Sequence, residues 1–150
     1  MNNIDLAYIA GFFDGEGSIV ITPIAHSTSN QKRTFNMRAQ AVSTNEEIIR
    51  LLLAMFGGDI KNKPIKGNRK ACWTWRVSSQ AATNFLELVL PYLKIKKPQA
   101  ELALEFQSHK TRGGRKTEEY IKYEAETKMR FSEMNRRGNA MITHGLIAAA

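Results

Sequence analysis

Leu6-Ala7-Tyr8-Ile9-Ala10-Gly11-Phe12-Phe13-Asp14-Gly15-Glu16-Gly17-Ser18 decides the fold. The segment is apolar up to Phe13 and then turns abruptly into Asp-Gly-Glu-Gly. Its small residues Ala7, Gly11 and Gly15 stand four apart, the spacing that aligns positions on one helix face. A face of alanine and glycine admits a second backbone at close range. Gly15 and Gly17 are expected to break the helix, because glycine takes left-handed conformations at little cost. The segment therefore predicts a helix running to about Phe13 that packs tightly on a partner and presents Asp14 and Glu16 at its end. Carboxylates in such a place suit hard metal ions.

Outward from this segment, Asn3 or Asp5 is expected to cap the helix. Ser18–Ile24 reads as a strand, with Ile19 and Ile21 alternating against Ser18, Val20 and Thr22. A polar turn (His26–Lys32) leads to a second strand, Arg33–Ser43. There Phe35, Met37, Ala39 and Ala41 alternate with Thr34, Asn36, Arg38 and Gln40. Such a pair has one face on a core and one polar face. Asn45–Phe56 reads as a helix capped by Thr44 or Asn45, with Glu46 and Glu47 in its first turn and Gly57-Gly58 at its end. A second hairpin spans Asp59–Lys63 and Ala71–Ser78, with Trp73, Trp75 and Val77 on the inner parity and Cys72, Thr74 and Arg76 on the outer. Helices follow over Gln80–Val89, from Pro98 to about His109, and over Thr117–Arg137, the last after a basic glycine hinge, Thr111–Lys116. The order predicts an α+β fold with antiparallel strands, in one domain over residues 1–137 and a weakly structured tail over 138–150.

Composition narrows the function. Lys and Arg number 22 against 14 Asp and Glu, a formal charge of +8, which favours a polyanionic partner such as nucleic acid. No stretch approaches the ~20 apolar residues that span a bilayer, and no secretory or transit signal opens the chain. One cysteine, Cys72, excludes an intrachain disulfide and gives no zinc motif; His26, His109 and His144 lie far apart without ligand spacing. An intracellular nucleic-acid-binding protein without membrane association is expected.

Ile9–Gly17 resembles the signature of the LAGLIDADG homing endonucleases position by position, and the element order resembles the αββαββα half-fold of that family with extra C-terminal helices. The motif occurs once, which in the family implies a homodimer; the interface would be formed by Ala7, Ala10, Gly11, Asp14 and Gly15. The resemblance implies a site-specific endonuclease that is encoded in a mobile intron. It would make double-strand breaks with short 3′ overhangs in a long pseudo-palindromic DNA. Glu16 takes the place of the metal-binding acid, with the Gly15 carbonyl as a second oxygen ligand and Mg2+ as cofactor. Asp14 is expected to cap or brace the helix junction. Pro91-Tyr92-Leu93-Lys94-Ile95-Lys96, followed by Gln99-Ala100, resembles the segment with the active-site lysine, at Lys96. A further polar residue of the family, at the end of the second strand, matches either Gln40 or Thr44.

Base reading would fall to the polar faces of the hairpins, since a two-stranded ribbon fits the major groove. These faces offer Ser18, Thr22, His26, Thr34, Asn36, Arg38 and Gln40 on the first hairpin, and Lys61, Lys63, Arg69, Lys70, Thr74 and Arg76 on the second. Lys110, Arg112, Arg115 and Lys116 would grip phosphates from the hinge. Two other readings use the same basic surface: an RNA maturase acting on its host intron, and a non-catalytic DNA-binding regulator. Intact Glu16 and Lys96 argue against the regulator, because binding alone requires neither.

Overall fold

The computed structural model describes residues 1–24, 34–110 and 116–148, the side chains of 34 and 137–148 excepted. The chain runs α1 (Asn3–Glu16), β1 (Gly17–Ile24), β2 (Thr34–Ser43), α2 (Glu46–Phe56), β3 (Asp59–Lys63), β4 (Cys72–Ser78), α3 (Ser79–Val89), a single 3-10 turn (Leu90–Tyr92), α4 (Lys97–Ser108) and α5 (Glu118–Ala148). This is the expected αββαββα order with further helices. The helix expected to end at Arg137 continues to Ala148, through residues read from sequence as weakly structured.

The strands form one antiparallel sheet in the order β1-β2-β4-β3. Strand parity divides it into two faces. Ile19 and Ile21 of β1, Met37, Ala39 and Ala41 of β2, and Trp75 and Val77 of β4 are all buried on one face. Against them pack Ile9, Ala10 and Phe13 of α1, Ile49 and Leu52 of α2, Phe85 and Leu86 of α3, Phe106 of α4 and Phe131 of α5. Phe85 sits at the centre, edge-on to Phe13 at 5.0 Å, to Phe56 at 4.9 Å and to Trp75 at 4.9 Å between ring centroids. Such edge-to-face pairs suit the quadrupoles of the rings. The opposite face, with Ser18, Arg38, Gln40 and Arg76, is half-exposed.

Helix ends depart from expectation in informative ways. Asn2, not Asn3 or Asp5, caps α1. Its side chain accepts from the Asp5 N–H at 2.8 Å, and the Asp5 carboxylate accepts from the Asn2 N–H, a capping box. α1 also runs past Phe13 to Glu16, with Gly15 inside it. Gly17 ends the helix in an extended conformation (φ −90°), so neither glycine is left-handed. Gly17 is needed for space instead: a Cβ there would lie 2.6 Å from the Phe13 carbonyl oxygen. Asn45 caps α2 by accepting from the Glu47 and Ile48 N–H groups.

The turn from α2 into β3 is where glycine is required. Gly57 (φ +69°) and Gly58 (φ +94°) are both left-handed. The Gly57 carbonyl accepts from the Trp75 indole at 2.8 Å, and a Cβ on Gly58 would run into the Arg76 carbonyl. Gly58→Ala should therefore cost about 1–3 kcal/mol or more through backbone strain and collision with β4. Urea unfolding checks this; a wild-type midpoint would contradict it.

Candidate active site and nucleic-acid interface

The site forms where α1 ends against the segment leading into α4. Asp14 is buried in the last turn of α1. Its carboxylate accepts three backbone N–H groups: Lys94 at 2.7 Å, Ile95 at 3.1 Å and Lys96 at 2.9 Å. The expected brace at the helix junction is thus observed. Three donors offset the desolvation of a buried charge, as unpaired burial would not.

This brace delivers Lys96 to the end of α1. Lys96 is the N-cap of α4, with Pro98 in the first helical turn, and its Nζ donates to the Asp14 carbonyl oxygen. Burial pulls the ammonium below the ordinary lysine range, against the attraction of the Asp14 and Glu16 carboxylates. Glu16 is the last residue of α1 and is exposed. An exposed carboxylate, a half-buried cation and the end of a helix therefore meet at one point, from parts of the chain 80 residues apart.

The donor set there suits magnesium. Glu16 supplies a carboxylate, and the Gly15 carbonyl belongs to the last turn, where helix carbonyls lack intrahelical partners. Magnesium takes hard oxygen ligands, keeps several waters and needs only one or two carboxylates. Among the described residues, no group of three or more His, Cys, Asp or Glu forms a larger metal cage.

Of the two matches for the further polar residue, Gln40 lies on β2 directly opposite Ser18, two residues after Glu16. Thr44 has left the strand and is exposed in the bend before α2. Neither is hydrogen-bonded to Glu16 or Lys96 among the described residues.

The half-exposed sheet face carries rows of facing residues. Val20, Arg38 and Ser78 form one, Ser18, Gln40, Arg76 and Asp59 the next, and Val42, Thr74 and Lys61 a third. Lys61, Lys63, Arg69 and Lys70 of the second hairpin are exposed, and Thr22 is half-buried on β1. His26, Arg112 and Arg115, and the side chain of Thr34, lie outside the described residues.

Four expected surface residues are engaged within the protein. Thr74 is buried, because β4 is an interior strand and Val42 and Lys61 flank the short side chain. Its Oγ1 has no partner among the described residues. Asn36 Oδ1 accepts from Ser79 Oγ at 2.6 Å and from Lys110 Nζ at 3.5 Å. Ser79 itself is left-handed (φ +51°) at the abrupt passage from β4 into α3. Arg76 donates to Asp59 at 2.6 Å. Lys116, expected to grip phosphate, instead pairs at 2.5 Å with Glu124, whose side chain is buried on α5. A buried carboxylate demands such a partner. Burial and Glu124 together push the Tyr120 hydroxyl up to about 12.

The α1 residues expected to face a partner divide between two sides of the helix. Ala7, Gly11 and Gly15 are exposed, and a Cβ added at Gly11 or Gly15 would meet nothing within 4 Å. Ile4 and Tyr8 extend the same face, 79% and 62% exposed. Ala10 and Asp14, expected on that stripe, are turned into the protomer, Ala10 onto the core and Asp14 onto the 94–96 segment.

The family model described as LAGLIDADG endonuclease matches residues 9–111. The chain belongs to this family. No curated protein sequence matches it. Among solved structures, the homing endonuclease I-TnaI is similar with a TM-score of 0.62 and 17% identity, over 89% of this chain and 97% of that one. I-CvuI, solved in complex with the I-CreI target and magnesium with the DNA not cleaved, gives 0.61 and 20% identity, over 82% and 93%. I-SmaMI bound to cleaved DNA gives 0.62 and 16% identity, but only 45% of that chain is covered against 85% of this one. The LAGLIDADG segment of the present chain is thus α1 with its terminal acids.

Asp14→Asn replaces one acceptor oxygen with a donor that faces backbone N–H groups. It should lower stability on the order of 3 kcal/mol, read by urea unfolding. An unchanged midpoint would remove Asp14 as the brace.

Proposed function

We propose that the protein is a homodimeric, site-specific homing endonuclease that hydrolyses one phosphodiester in each strand of a long pseudo-palindromic duplex, with Mg2+. The observation that carries this reading is the meeting of exposed Glu16 with half-buried Lys96 at the end of α1. A protein that only bound DNA would need neither. Family membership and DNA complexes of similar structures support a duplex as substrate.

Glu16 and the Gly15 carbonyl would hold the metal, which when bound supplies an activated water and positive charge for the reacting phosphate. Lys96 adds a fixed cation beside it. Its ammonium is tethered to the Asp14 carbonyl and so is already aimed when a phosphate arrives, a preorganisation that favours the charge developing in the transition state. Asp14 acts at one remove by fixing both ends of this arrangement. The sheet face beyond Ser18 and Gln40 would lie along the major groove, with Arg38 and Gln40 among its base readers.

Dimerisation through α1 accounts for the exposed stripe. Two helices packed through Ala7, Gly11 and Gly15 would bring two copies of Glu16 near the two-fold axis, one for each strand. Apolar Ile4 and Tyr8 would be covered at the same time. Interior glycines in a helix cost about 1 kcal/mol each relative to alanine, and Gly11 and Gly15 meet no neighbour in the protomer that would require them.

Two outcomes check this. Glu16→Gln keeps the size and removes the charge, so cleavage of a selected target should fall by orders of magnitude while binding in calcium persists; Lys96→Ala should cut slowly with a smaller loss of binding. Full cleavage by Glu16→Gln would refute the site. Separately, Gly11→Leu has room in the protomer and should spare the fold while shifting the sedimenting species from dimer to monomer. Wild-type protein that sediments as a monomer with DNA bound would refute the dimer.

A further inference from the structure

We propose that Asp59 is a specificity-determining positioning residue, which holds Arg76 as a guanine-reading side chain on the sheet and keeps its guanidinium off the phosphates. This rests on the reading above that the half-exposed sheet face meets duplex DNA. Asp59 opens β3 and stands directly across from Arg76 on β4. Arg76 Nη2 donates to Asp59 Oδ2 at 2.6 Å. The Arg76 side chain is 20% exposed and that of Asp59 56%.

As a stabilising contact the pair is limited, because its Asp59 end is open to solvent, which screens the attraction. Yet the fold goes to some length to form it. Left-handed Gly58, with no room for a Cβ against the Arg76 carbonyl, brings the chain hard against β4 one residue before Asp59. An acid on a face that otherwise carries Arg38, Lys61 and Arg76 also works against general DNA affinity, because it repels phosphate. That cost makes sense if the acid buys discrimination.

The chemistry of the arginine agrees. A free arginine on an open face is long enough to turn to the nearest phosphates, which carry no sequence information. Tied to Asp59, it cannot. Its Nε is buried with no partner among the described residues, so the remaining donors are at the tip: Nη1 and the second hydrogen of Nη2. Two neighbouring donors match the O6 and N7 acceptors that guanine presents in the major groove. Arg76 lies beside Gln40 in the row that leads to Ser18, so the guanine falls close to the cleavage site in each half-site.

The test selects binders from a pool of randomised duplexes in calcium, with wild type, Asp59→Asn and Arg76→Gln, and then measures their affinity for single-base variants at several salt concentrations. Wild type should enrich guanine in each half-site at a position that Arg76→Gln loses. Asp59→Asn should lose ~5- to 100-fold of discrimination at that position alone, bind the unselected pool more tightly, and show a salt dependence steeper by about one phosphate contact. Arg76→Gln should lose the same guanine preference without the gain in pool affinity. A wild-type base profile in Asp59→Asn, with an unchanged salt slope, would overturn the inference while leaving DNA reading intact. Wild-type protein that binds the pool with no base preference would overturn both.

Discussion

The Asp14 carboxylate, accepting the N–H groups of Lys94, Ile95 and Lys96, is the constraint on which the rest of the structure depends. A buried charge in the last turn of a helix is unfavourable on two counts: it is desolvated, and it faces the negative end of the helix dipole. Only a set of donors in the right directions offsets this, and the 94–96 segment supplies them in a single arrangement. α1 is thereby fixed relative to the start of α4. Glu16 is left on the outside, and Lys96 is folded back onto the Asp14 carbonyl. One side chain thus ties the segment that carries Lys96 to the helix that ends in Glu16.

The sheet carries a second division of labour. Its inner face is a continuous apolar layer, and its outer face is partly cross-linked to itself by the Arg76–Asp59 and Asn36–Ser79 contacts. Side chains held in this way lose less rotational freedom when a ligand arrives than free ones do. A face that is polar, half-exposed and preorganised is suited to recognition of a pattern. The exposed lysines of the second hairpin, Lys61, Lys63 and Lys70, have no such ties among the described residues, which suits contacts with a uniform phosphate backbone.

Local pattern made the framework legible from sequence. The alternation of Phe35, Met37, Ala39 and Ala41 fixed β2 and its inner face, and the motif at Ile9–Gly17 placed Glu16 and the brace at Asp14. What was not legible depends on residues distant in sequence. Thr74 has the parity of a surface residue, but its burial comes from β3 adding outside β4. Lys116 looks like a free cation until Glu124, eight residues on, is known to be buried. Ala10 has the small size expected at the α1 stripe, but its angular position takes it to the core, since residues three apart from Ala7 drift toward the packed side. Asp59 gave no signal because a lone aspartate at the start of a strand shows its arginine partner only once the register with β4 is known.

In the proposed dimer, the two faces of α1 account for glycine rather than alanine at Gly11 and Gly15. Toward the protomer, α1 presents Ile9, Ala10 and Phe13 to the core, with Leu6 buried and Phe12 packed beside them. Toward solvent it presents Ile4, Tyr8 and a bare strip of backbone. At the N-terminal end of α1, a cavity of about 420 Å³ between α1 and α2 is lined by Met1, Asp5, Tyr8, Ile9, Leu51 and Met55. Exposed apolar surface of this kind on a helix is typical of an interface. A helix that packed on a partner through bulkier residues would stand farther from it and carry its terminal acid away from the axis. Glycine shortens that distance. In the proposed dimer, the same two residues that weaken the isolated helix bring the two Glu16 carboxylates nearer the two-fold axis.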